Sequence, residues 1–72
     1  MPFDFSKLKG RIVERYGTRR ALSRAMGMSP PALSARLNGL IPFRADEITK
    51  ACALLDIPNE EINDYFFNPK FE

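Results

Sequence analysis

Apolar residues recur at three- and four-residue intervals along most of the chain, and the interval is interrupted at a few defined points. Ala21, Leu22, Ala25 and Met26 form one stripe, Gly27 breaks it, and Leu33 and Leu37 resume it four residues apart. The pattern predicts two short helices joined by a tight turn, spanning about Thr18 to Gly39. Gly27 falls just past the last periodic residue, where a left-handed backbone is usually needed. Met28 is placed to plug the angle between the helices, Ser29 to cap the second, and Asn38-Gly39 to stop it. Two helices this short cannot bury both stripes against each other, so the flanking chain must supply the remaining core.

Upstream, Leu8, Ile12, Val13 and Tyr16 predict an amphipathic core helix, capped by Asp4 or Ser6 and ended by Gly17. Thr18 then caps the next helix, which runs to about Met26. The helix after the tight turn is expected to start at Ser29 or Pro31 and end near Asn38, with Pro31 disfavouring helical geometry at Pro30 and so delaying the start. Leu40 to Phe43 read as a loop fixed by Pro42 and pinned by Leu40, Ile41 or Phe43. A fourth helix, about Ala45 to Leu55, carries Ile48, Ala51, Cys52, Leu54 and Leu55 on its apolar side, with Asp46 and Glu47 suiting its positive end. A fifth begins at Pro58 or Asn59 and presents Ile62, Tyr65 and Phe66. The expected architecture is all-α, a compact bundle of about five short helices forming a single domain over residues 1–72. Tyr65, Phe66, Phe67 and Phe71 put four aromatics into seven residues. That exceeds what one short helix readily hides, so a partner or dimer surface is expected there, with completion of the core as the alternative.

Composition narrows the chemistry. With no histidine and a single cysteine, the 72 residues offer no disulfide framework, no metal-ligand cluster and no usual general base, so neither an enzyme nor a bound cofactor is expected. Cys52 lies among core-like residues and reads as a small buried hydrophobe. No apolar run is long enough for a membrane span and no secretory leader is seen, which points to a reducing, cytoplasmic setting. The net charge of +2 hides a strong asymmetry. Met1 to Arg44 holds nine basic side chains against two acidic ones, a net +7, whereas the remainder holds two against seven, a net −5. A basic half containing the paired helices suits binding a polyanion from one side.

The paired helices resemble the helix-turn-helix of the phage Cro and repressor family, the Xre-like regulators of bacteria. The resemblance rests on Thr18, on Leu22 and Ser23, on Gly27-Met28-Ser29 at the turn, and on Leu33 to Gly39. The opening FDFSKLKGRIVERYGT, the KACALLDIP segment and the closing INDYFF extend the likeness over nearly the whole chain. It implies that the helix from Thr18 lies across a DNA backbone, with Thr18 and Arg19 at a phosphate; Arg20 and Arg24 read either as further backbone contacts or as solvated side chains. Arg19 stands where the family often has glutamine, and Ser23 where it often has alanine. It further implies that the following helix enters the major groove through Ser29, Pro30, Pro31, Ala32, Ser34, Ala35 and Asn38, with Arg36 toward a flanking phosphate. Asn38, Gly39 and Arg44 would then follow the sugar-phosphate backbone.

The outward face of that recognition helix is poor in base-reading groups. If Leu33 and Leu37 point inward, Pro31, Ala35 and Asn38 point outward, with Ala32 and Ser34 on the flanks. Guanine is read by Arg or Lys and adenine by Asn or Gln, but the leading positions carry two prolines and an alanine. Two functions therefore compete. One is a phage-type transcriptional regulator binding duplex DNA as a homodimer in a bacterial host. The other is an antirepressor or co-repressor that acts by binding a phage repressor protein, with weak or no sequence-specific DNA binding of its own.

Overall fold

In the computed structural model, which describes residues 3–70, five α-helices pack around one core. They are α1 (Ser6–Tyr16), α2 (Arg19–Met26), α3 (Pro30–Leu37), α4 (Ala45–Leu55) and α5 (Ile62–Phe66), the last entered through a 3-10 turn over Asn59–Glu61. The expected all-α architecture holds, and no strand occurs among the described residues. An isolated antiparallel bridge between Phe3 and Pro69, with the Asp4 N–H donating to the Asn68 carbonyl at 2.8 Å, brings the two ends of the described chain together.

Local chemistry sets the helix limits. Phe5, not Asp4 or Ser6, is the N-cap of α1 and caps it with no side chain; Asp4 accepts the Ser6 N–H at 2.8 Å, and the Ser6 side chain, then this N–H, hold its carboxyl below the usual range. Thr18 and Ser29 sit in extended backbone as N-caps, their hydroxyls accepting the N–H groups of Ala21 (3.1 Å) and Ala32 (3.2 Å). Gly27, at φ 74°, closes α2. Its own N–H donates to the Arg24 carbonyl and the Met28 N–H to that of Ser23, the paired bonds of a Schellman motif. Gly39, at φ 79°, closes α3 in the same way, with Gly39 donating to Arg36 and Leu40 to Ala35.

Several expectations need correction. Ala25, placed in the apolar stripe of α2, is exposed, and the last α-helix begins at Ile62, after the 3-10 turn, rather than at Pro58 or Asn59. α3 starts at Pro30 rather than one residue late, because Pro30 and Pro31 occupy the first two helical positions, where a missing N–H leaves no intrahelical bond unmade. Val13 is 61% exposed and does not join Leu8 and Ile12 in the core, since it lies 100° around α1 from Ile12 and no element covers that side. Of the three residues offered to pin the loop, Phe43 does so, while Leu40 and Ile41 are exposed at 78% and 45%.

The core joins Leu8 and Ile12 of α1, Leu22 and Met26 of α2, and Leu33 and Leu37 of α3. Ala51, Cys52 and Leu55 of α4 and Tyr65 and Phe66 of α5 complete it, with Phe5 and Ile57 from the connections. Met28 packs half-buried against it, between α2 and α3. Cys52 is buried, and desolvation pushes its thiol above the ordinary value. No helix among the described residues is long and apolar enough to cross a membrane.

Candidate functional site

α2, the turn at Gly27 and α3 form one continuous face, and the loop Leu40–Phe43 extends it. Thr18, Arg20, Ser29, Pro31, Asn38 and Arg44 are exposed on or beside it, while Arg19, Pro30, Ala32, Ser34 and Ala35 are half-buried. The two hydroxyls nearest the helix starts, those of Thr18 and Ser29, already accept backbone N–H groups.

Arg36 does not stand free at the flank of α3, as the sequence led us to expect. Its Nε and Nη2 donate to Glu47 Oε1 and Oε2 at 2.8 and 2.9 Å, and its Nη1 donates to the Ala32 carbonyl at 2.9 Å. Glu47 Oε1 also accepts the Arg44 N–H at 2.9 Å, so the carboxylate both starts α4 and holds the guanidinium. The two side chains are only 14% and 13% exposed. Their mutual hydrogen bonds hold the Glu47 carboxyl below its ordinary range and raise Arg36 further. The single cation of α3 is therefore spent on fixing α3 to α4.

Arg11 is diverted in a similar way. Its Nε and Nη2 donate to the carbonyls of Leu55 and Asp56 at 2.9 and 3.1 Å, closing the end of α4, while Nη1 reaches Glu14 at 2.6 Å. Arg44 pairs with Asp46 at 3.3 Å, but both side chains are 73% exposed and the contact restrains little. Lys7 lies 4.0 Å from Asp64 and over the Tyr65 ring at 4.7 Å. Arg19, Arg20 and Arg24 of α2 form no ion pair among the described residues. They sit in an uninterrupted run, 15–45, without a single acidic residue.

The aromatic surface expected near the end of the chain is mostly absent. Tyr65 and Phe66 are 8% and 2% exposed. Phe66 meets Phe43 edge-on at 5.2 Å, Phe43 meets Phe5 at 5.5 Å, and Phe3 meets both Phe5 and Phe67. Rings from the opening segment and the loop thus absorb the excess that α5 could not hide alone. Phe67 remains 42% exposed, and Phe71 lies outside the described residues. The apolar surface that does stand free is elsewhere. Pro31, exposed, and Ala35, half-buried, are one turn apart on α3, and the Ala35 carbonyl accepts the N–H groups of Leu40 (2.8 Å) and Ile41 (3.4 Å), which brings the backbone of those two exposed residues beside it. Sequence reasoning missed Glu47 and Arg11 as organising residues and missed Leu40 and Ile41 as surface. Only the short spacing of Glu47 from the Arg44 N–H was a local signal.

No curated protein matches the chain. Among solved structures, it is similar to the modulator of repression of the temperate bacteriophage TP901-1 from Lactococcus lactis. The TM-score is 0.83 and the sequences are 39% identical, over 100% of this chain and 97% of that one. The family described as "protein of unknown function (DUF739)" matches residues 1–69, so nearly the whole fold, the α2–α3 face and the loop after it are covered, and the chain belongs to that family.

Proposed function

We propose that this chain modulates phage repression by binding a repressor protein, and that the surface it uses is the outward face of α3 continued by Leu40 and Ile41. The observation that carries this reading is the locked Arg36. With its guanidinium committed to Glu47 and Ala32, α3 offers no long hydrogen-bonding side chain to a base edge, and what remains is the exposed Pro31, the half-buried Ala35 and the two exposed aliphatic loop residues. An apolar ridge with a basic border is the composition of a protein interface centre and its rim. The full-length likeness to a phage modulator of repression supports the same role. In this reading α2 and α3 are a helix-turn-helix of the Cro and repressor type whose third helix has been given over to a protein partner.

A second reading keeps the module on duplex DNA as a homodimer, with half-sites about one helical turn apart. Arg19, Arg20 and Arg24, which form no ion pair among the described residues, favour it, since cations beside a helix start attract phosphates whatever the base sequence.

The deciding experiment titrates the purified protein onto its own phage or prophage control region at two salt concentrations, first alone and then with the neighbouring repressor. The repressor-binding reading expects no site preference alone and altered repressor occupancy in the mixture. Ala35→Glu should abolish repressor binding while Arg19→Ala leaves it intact. Repressor binding unaltered by Ala35→Glu sinks this use of α3, and a salt-sensitive preference for a defined site in the absence of repressor restores the DNA-reading alternative.

A further inference from the structure

Between α2 and α3 lies a groove of about 240 Å³ lined by Arg20, Ser23, Arg24, Met28 and Pro30. Ser23 is buried and Met28 and Pro30 half-buried, so they form its inner lining, while the exposed Arg20 and Arg24 form its rim. Several observations make the rim unusual. Arg20 and Arg24 are four residues apart on one helix, which puts their Cβ atoms about 5–6 Å apart on the same face. α2 contains no acidic residue, and neither guanidinium has an ion-pair partner among the described residues, whereas Arg11 and Arg36 are fully engaged. The Ser23 hydroxyl donates to the Arg20 carbonyl at 2.8 Å, which fixes the small, buried side chain at the bottom of the groove. Two unpaired like charges held a turn apart repel each other mildly and gain most from a ligand that brings two carboxylates at the same spacing.

We infer that this groove receives an acidic helix of the repressor. Two carboxylates one helical turn apart pair with Arg20 and Arg24, and an aliphatic side chain between them packs against Met28 and Pro30. The inference rests on the reading of the chain as a repressor-binding protein and names the chemistry of the contact. A phosphate backbone fits less well. Pro30 and Pro31 bring no N–H to the first turn of α3, and a thioether and a pyrrolidine ring offer phosphate oxygens nothing to bond. They do offer apolar area to an aliphatic side chain.

The test measures repressor affinity by calorimetry for the wild-type chain, for Arg20→Glu/Arg24→Glu, and for a double reversal of equal charge on α1, Lys9→Glu/Arg15→Glu. Circular dichroism checks that each variant folds, and Arg20→Gln/Arg24→Gln serves as the milder pair. The groove reversal should weaken binding roughly 100-fold and the α1 reversal less than about 3-fold, because like charges facing each other in an interface are far costlier than distant ones. Reversing the matching acidic pair on the repressor to arginine should restore affinity for the Arg20→Glu/Arg24→Glu chain. Equal weakening by both reversals would reduce the effect to general attraction and overturn the inference. So would an unchanged repressor affinity accompanied by lost duplex binding, which would make the two arginines phosphate contacts. A wild-type chain that never binds the repressor would overturn the proposed function itself, and the inference with it.

Discussion

Arg36 and Glu47 show how a single pair can decide what a surface is able to do. Three guanidinium nitrogens are committed, two of them to a carboxylate that also accepts the Arg44 N–H. Removing one partner strands the other in a site where both are largely covered. Arg36→Met alone should therefore cost about 2 kcal/mol in urea denaturation, while Arg36→Met with Glu47→Leu should cost less than about 1 kcal/mol, since an apolar pair of similar volume needs no compensation. Equal losses in the single and double variants would show that the pair is not coupled. The same residues predict a pH dependence. Because the guanidinium holds the Glu47 carboxyl below its ordinary value of 4.5, the folded chain binds fewer protons than the unfolded chain in the range just beneath that value. The pair's contribution is complete above that value and disappears as pH falls through the folded value. The stability difference between the wild-type chain and Glu47→Gln should accordingly narrow on acidification from pH 6 to about pH 3.

At the scale of elements, the ends of the helices are decided by one residue each, and the glycines separate two effects cleanly. Gly27 at φ 74° has nothing but the Lys50 ammonium at 3.9 Å where a Cβ would stand. Gly27→Ala thus meets no clash and loses about 1 kcal/mol through backbone strain alone. Gly10 lies inside α1 with open space around it, so Gly10→Ala should gain about 0.5–1 kcal/mol by restricting the unfolded chain. Opposite signs in the two denaturation midpoints are the expected outcome, and a loss at Gly10 would mean that α1 needs that bare surface. These local devices are why most helix limits were legible in the sequence: Thr18, Gly27, Ser29 and Asn38-Gly39 act within four residues of themselves. The Arg11 contacts to the end of α4 span 44 and 45 residues, and Phe3 meets Phe67 from the opposite end of the chain; no periodicity announces either. Val13 misled for the same reason, because a helical wheel places it beside Ile12 but cannot say where the neighbouring helices stop. The candidate face could be located from the paired stripes, whereas the neutralisation of its one α3 cation could not.

For the molecule as a whole, the basic first part of the sequence leaves fewer free cations than a count of its lysines and arginines suggests. Arg11 and Arg36 are consumed internally, and on the α2–α3 side Arg19, Arg20, Arg24 and Lys50, whose ammonium lies beside Gly27, form no ion pair among the described residues, with Arg44 only loosely held by Asp46. Any association with duplex DNA should then follow these alone. Each phosphate neutralised on B-DNA contributes about −0.9 to the slope of log affinity against log salt, so four or five free cations set a slope of roughly −3.6 to −4.5. Arg24→Ala should flatten that slope by about one unit and weaken binding equally on every duplex sequence. Arg36→Met should leave the slope unchanged, because its guanidinium already faces Glu47 and releases no counterion on binding. The comparison is made by fluorescence anisotropy with random-sequence duplexes over a series of salt concentrations. A slope that falls by a unit on replacing Arg36 would mean that the Glu47 pair opens on DNA, and with it α3 would regain the cation that a base-reading helix requires.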